Sequence, residues 1–224
     1  MSSRRFLLPL ALLGAALAGC APTQQTKGPA LTATTTISQV SFYPSQAGLR
    51  WNYLPDGAIA SDVPYVLSSQ GPTIFAGQEV QGFLLSGRGA DQTSYRQLSG
   101  DGVLLLGFRK PGLTVTLTPP WREYPAEGAW AVGLSWQGQS DVRVLSDDGK
   151  TNVSGKVSYR YSVLDHRTVA VGGRSYTVWV INRQITDNVG GLFPASQELW
   201  FAPYVGEVRT PEALLLASRN FTGG

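Results

Sequence analysis

One cysteine, Cys20, and one histidine, His166, occur in 224 residues, and charged side chains make up only 15% of the chain. A single cysteine excludes an intrachain disulfide and any cluster or zinc site built from several thiolates. A single histidine excludes a multi-histidine metal site, and a catalytic triad around it would need an oriented carboxylate. Asp165 adjoins His166 in LDHRT, but neighbours along a strand point to opposite faces. His166 is therefore expected to be exposed, at a turn or hairpin tip between two strand-like runs. No apolar run reaches the roughly 20 residues needed to span a bilayer, the nearest being Phe6 to Ala18. No nucleophile elbow, phosphate loop, dinucleotide fingerprint or zinc-protease motif is present. SDDGK at 146 to 150 has the composition of a β-turn and lacks the spaced carboxylates of a calcium loop. Lys and Arg nowhere alternate with aromatics in a run, so nucleic acid is not expected as a partner. No cofactor, metal or catalytic residue is expected, and the chain reads as a non-enzyme. A hydrolase with dispersed carboxylates leaves no local signature and stays open as an alternative.

What is present begins with Arg4 and Arg5, followed by the apolar stretch and then small residues up to LAGC, Leu17 to Cys20. This is the layout of a secretory signal. LAGC resembles the lipobox of bacterial lipoproteins, which implies a diacylglycerol thioether on Cys20, cleavage before it, and acylation of the new amino group. Several acyl chains hold a protein where one would be reversible, because each buried CH₂ contributes about 0.8 kcal/mol. Cys20 would be a tether and not a nucleophile; the other reading is an ordinary signal with a chance cysteine. The expected division is a signal peptide over 1–19, lipidated Cys20 and a linker over 20–36, and one β-rich domain over 37–224. The linker follows from Ala21 to Thr36, rich in Thr, Gln, Ala and Pro and poor in large apolar residues. The formal charge of +3 falls to about +1 once Arg4 and Arg5 leave, so the apparent basicity belongs to export. Ala21 stands where Asp marks inner-membrane retention in enteric bacteria, and that rule points to the outer membrane, facing the periplasm or outside.

Beyond the linker the pattern has a period of two. In VSGKVSYRYSV, Val153, Val157, Tyr159, Tyr161 and Val163 share one parity while serine, lysine and arginine take the other. Leu113, Val115 and Leu117 repeat the pattern, as do Val142 and Val144. Ser175 to Ile185 carries apolar residues on both parities over Val178 to Ile181, which suggests a central or doubly covered strand. Turn signals separate these runs: PDG at 55, SGRGAD at 86, SGDG at 99, KPG at 110, SDDGK at 146, VGGR at 171 and DNVGG at 187. The expected fold is all-β, an antiparallel meander of a dozen or so strands forming a strongly curved sheet or incomplete barrel. Arg209 to Phe221 is ambiguous: Thr210 and Pro211 sit like an N-cap and first helical residue, while a final strand is the preferred reading.

Six tryptophans, nine tyrosines and eight phenylalanines either fill a β core and its rims or line an apolar cavity. The ligand-contact candidates are Trp51, Trp136, Trp179 and Trp200, with Leu192 and Phe193 in the Gly/Pro-rich connection after Asp187. Those last two either fold back onto the core or form a mobile apolar tip.

Four stretches, FYPSQAGLRWNYL (42–54), AGQEVQGFL (76–84), VAVGGRSYTVWVINRQ (169–184) and ELWFAPYVGEVR (198–209), together resemble bacterial envelope domains similar to the LolA and LolB lipoprotein carriers. The chain departs from that pattern at Gly173-Arg174-Ser175 and at Tyr204. The resemblance implies an incomplete antiparallel barrel wrapped round an apolar cavity, and it supplies no catalytic residues. Three functions follow as expectations. The first is a lipid-anchored envelope protein holding a lipid or acyl chain. The second is an assembly lipoprotein that docks another envelope protein and has a filled interior. The third is a hydrolase with two acids in a polar cleft.

Overall fold

The computed structural model describes residues 40–223, Ala60 excepted; the signal, Cys20, the whole linker and 37–39 lie outside the described residues. Twelve strands follow in chain order. The first six are β1 (Arg50–Pro55), β2 (Tyr65–Phe75), β3 (Gln78–Gly87), β4 (Ala90–Ser99), β5 (Gly102–Lys110) and β6 (Leu113–Tyr124). The rest are β7 (Ser135–Ser146), β8 (Asn152–Val171), β9 (Arg174–Asp187), β10 (Ser196–Ala202), β11 (Gly206–Arg209) and β12 (Leu214–Arg219). Each pairs antiparallel with its chain neighbour, and β12 pairs with β1 to close a barrel. The meander is thus the one expected, but its ring is closed where the resemblance implied an incomplete one. Closure depends on the last segment being a strand: Leu214, Leu215 and Leu216 lie opposite Pro55, Leu54 and Tyr53. Closure removes both end strands as edges, while 174–178 of β9 and 135–140 of β7 run on with β8 as their one partner. Thr210 caps no helix, for its hydroxyl accepts the Glu212 and Leu214 N–H groups in the turn between β11 and β12.

All seven turn signals fall at strand connections. At Gly172 and Gly173, φ is +57° and +73°, the double positive φ of a two-residue hairpin turn, which glycine adopts at least cost. Gly172 also lies against the Leu216 and Ala217 carbonyls, where a Cβ would come within 2.8 Å of both oxygens. The tip of the β8–β9 hairpin therefore overhangs β10 and rests on β12.

Alternation follows water. Along β7 and β8, Val142, Val144, Val157, Tyr159, Tyr161 and Val163 are buried while Asp141, Arg143, Lys156, Ser158 and Arg160 are exposed. An outer face this charged is built for water, since a membrane barrel carries an apolar outer band. Val153 departs from the pattern, being 44% exposed near the start of β8. Leu164 is the extra residue of a bulge: Val163 faces Ile181 and Asp165 faces Val180. The bulge explains the two-parity run in β9. Tyr176, Val178 and Val180 join one buried cluster, whereas Ile181 and Ile185 join another.

In a meander the connections alternate between the two ends of the barrel. One end carries the segments 56–64, 88–89, 111–112, 147–151, 188–195 and 210–213. The other carries the remaining turns and the chain entering β1. The entering chain plugs that second end: Phe42 meets Tyr43, Phe201 and Tyr204, and Tyr43 stacks on Tyr124 at 5.7 Å. The Tyr43 hydroxyl donates to the Pro125 carbonyl and accepts the Trp130 indole N–H at 3.1 Å. Every strand of the closed sheet and every fully buried member of its apolar clusters come from residues 49–221, with Val40, Phe42 and Tyr43 packed against them, so the barrel holds its own core.

Candidate ligand cavity inside the barrel

The barrel interior is hollow. A cavity of about 740 Å³ opens among the loops of the unplugged end, with Asp91, Lys110, Leu192, Phe193 and Glu212 at its mouth. Leu85, Leu105, Phe108, Trp121, Arg183 and Gln197 form its walls. Towards the plugged end lie Tyr53, Arg96, Glu123 and Glu207. Tyr53, Leu67, Arg96 and Glu207 also line an apolar recess of about 50 Å³ with Trp51, Phe83, Leu98, Val103 and Phe201.

The charged group near the plugged end has three strand origins. Arg96 stands three residues before the end of β4, Glu123 is penultimate in β6, and Glu207 is second in β11. The Arg96 guanidinium grips both Glu123 oxygens, through Nε to Oε2 and Nη2 to Oε1, the latter at 3.3 Å. It also lies 5.0 Å over the Phe83 ring. Charge assistance and the bidentate fork make this a strong, directional pair. Glu207 is held differently: its Oε1 accepts the Tyr124 hydroxyl at 2.5 Å, and its backbone carbonyl accepts the Tyr53 hydroxyl at 2.9 Å. Burial pushes the Glu207 carboxyl up to about 7, against the opposing pull of Arg96 and the Tyr124 bond. Glu123 is thus ion-paired with Arg96, while Glu207 at mildly acidic pH is a neutral acid able to donate a proton. Burial raises the Tyr53 and Tyr124 phenols as well, so both remain hydrogen-bond donors.

Arg183 is set by register. It lies opposite Gln197 across the β9–β10 ladder, and its Nε and Nη2 both donate to Gln197 Oε1, the first at 2.8 Å. Gln197 is itself buried and anchored, donating to the Pro211 carbonyl at 2.9 Å. The guanidinium lies 5.6 Å from the Trp121 ring centre, a cation–π distance.

Of the candidates read from sequence, the structure brings three to this space. Trp51 lines the recess and donates to the Val205 carbonyl at 2.6 Å. Leu192 and Phe193 are half-buried at the mouth, folded back so that Phe193 meets Trp121 edge-on at 5.3 Å. The other three lie off the cavity. Trp136 stacks on Tyr161 at 4.9 Å, Trp179 stacks on His166 at 3.9 Å, and Trp200 lies under Arg209. These three strengthen strand pairing and surround the cavity without lining it. His166 is exposed as expected but lies within β8 and not at a tip, because the hairpin continues to Gly172. The charged residues went unrecognised. Arg183 shares parity with Ile181 and Ile185, and Glu123 with Trp121, so a charge on the apolar parity was the available signal. Among the described residues no group of three His, Cys, Asp or Glu side chains could hold a metal ion.

No family model matches the chain, and no curated protein matches it. Two solved structures resemble it. One is the hypothetical lipoprotein YmcC from Escherichia coli, 14% identical, with a TM-score of 0.38 over 78% of this chain and 82% of that one. The other is a lipoprotein candidate from Parabacteroides distasonis, 10% identical, with a TM-score of 0.40 over 80% of this chain and 98% of that one.

Proposed function

We propose that this protein is a lipid-anchored envelope protein whose barrel holds one small amphiphilic molecule. The hollow interior carries the reading. A barrel serving only as a rigid docking body would be filled with side chains, whereas a cavity of about 740 Å³ falls in the usual range for small-molecule sites. The charged group inside revises the purely apolar ligand read from the sequence: the ligand needs a polar part as well as an apolar one. Binding is favoured over hydrolysis because an inner acid that a carboxylate pair would need is engaged: both Glu123 oxygens are occupied by Arg96. The anchor is Cys20, through its acyl chains. The described chain enters the barrel at the plugged end, opposite the mouth.

Native mass spectrometry of residues 21–224, before and after denaturation in organic solvent, tests the cavity. The expected result is an added mass, lost on denaturation and extractable as lipid. A bare protein after incubation with envelope lipids would overturn the binding reading and favour docking of another envelope protein. Cys20→Ser tests the anchor separately: the variant should leave the membrane fraction, and a variant that remains there, cleaved at the usual site, would refute lipidation.

A further inference from the structure

We infer that the ligand of the barrel carries an anionic head, a carboxylate or phosphate monoester, seated on Arg183 near the mouth with its chain running inwards. This rests on the cavity-binding reading above and adds the chemical class of the ligand.

Arg183 makes no ion pair of its own inside the cavity. Arg96 and Glu123 cancel as a bidentate pair, and Glu207 is neutral at mildly acidic pH because burial raises it. At the rim, Asp91 and Glu212 outnumber Lys110 by one charge, and Glu212 acts on Arg183 only from beyond ion-pair distance. Arg183 has no carboxylate partner in any ion pair of the described residues. Its contacts are the neutral Gln197 oxygen, the Trp121 face and the Tyr161 hydroxyl beside it. A half-buried guanidinium whose hydrogen-bond partners are all neutral keeps part of its desolvation cost unrepaid. Gln197, tied to Pro211, holds the fork in one orientation, and its single oxygen does not use all five N–H donors. A fixed planar fork with donors to spare matches the two oxygens of a carboxylate or phosphate.

Position fits the same ligand. Arg183 is four residues from the mouth end of β9, and Gln197 is the second residue of β10 at that end. The apolar wall of the same cavity is Leu67, Leu85, Leu105 and Phe108. A head at Arg183 leaves the chain free to lie against these side chains, where burial is favourable.

The test uses residues 21–224 and three probes with one alkyl chain: lauric acid, lauryl phosphate and lauryl alcohol, titrated below their aggregation limits at mildly acidic pH. At least one of the two anions is expected to bind about 10-fold or more tighter than the alcohol, as charge-assisted hydrogen bonds would give; which one does so identifies the head. Arg183→Leu should abolish that preference, bringing anion and alcohol to the same affinity, and Arg183→Lys should keep part of it. Thermal melts of both variants establish that they are folded. Equal binding of acid, phosphate and alcohol by the parent would overturn the anionic head and leave the cavity reading intact. So would an anion preference that survives in Arg183→Leu. Failure of all three probes to bind would overturn both.

Discussion

Replacing Glu123 with alanine is expected to lower stability by about 3–5 kcal/mol, the usual cost of stranding one partner of a buried ion pair. The Arg96 side chain is 18% exposed and that of Glu123 10%, so solvent screens the pair little. Without Glu123 the guanidinium keeps its desolvation penalty and loses both bonds. In a domain of this size the melting temperature should fall by about 10 °C or more. Glu207 modifies the result, because it already faces Arg96 across the cavity. In the variant the exposed positive charge favours ionisation of Glu207, which then serves as a partial counter-ion. The loss should therefore be greater for Glu123→Ala combined with Glu207→Gln than for Glu123→Ala alone. Conversely, Arg96→Met with Glu123→Leu should recover most of the stability, since an apolar pair of similar volume has no charge to desolvate. A loss below about 1 kcal/mol for Glu123→Ala, measured by denaturant unfolding, would show that the pair is solvated and no part of a buried interior.

The second large effect is a dependence of stability on pH. Glu207 has its folded-state pKa at about 7 against an ordinary 4.5. Between those values the folded state binds more protons than the unfolded one, so stability falls as pH rises. The contribution is fully present below about pH 4.5 and gone above about pH 7, amounting to about 3 kcal/mol. Glu207→Gln keeps the shape and cannot ionise. It should remove this part of the slope and be more stable than the parent at pH 8. The measurement is the difference between parent and variant across pH 4.5 to 8, which cancels groups common to both. Identical slopes would mean that water reaches the carboxyl and that the cavity wall around Glu207 is wet.

The fold was largely legible because its signals are local. Val157, Tyr159, Tyr161 and Val163 alternate with wet neighbours on an exposed-face strand, and glycine pairs such as Gly172-Gly173 mark a turn whose positive φ angles they accept at least cost. Short connections then leave an antiparallel meander as the economical arrangement. Closure was harder to read, since it depends on β12 finding β1 across the whole length of the chain. A period of two in LLLASR says that a strand is present, not which strand it meets. The cavity was harder still. Trp136, Trp179 and Trp200 have the same composition signal as Trp51, and only curvature decides which of them faces the interior. Arg96, Glu123 and Glu207 come from three strands, and the bulges between Tyr95 and Arg96 and at Phe201 help set which way their neighbours face. No sequence spacing joins them.

By itself, then, the sequence determined the all-β class, the places of most turns, and the presence of a signal-like leader ending in Cys20. Each follows from residues within a few positions of one another. Tertiary structure alone decided that the barrel closes, that its interior is hollow, and that Arg183 enters it without a carboxylate partner. Those outcomes depend on strand register and on volumes left between side chains remote in sequence, which a linear pattern does not encode.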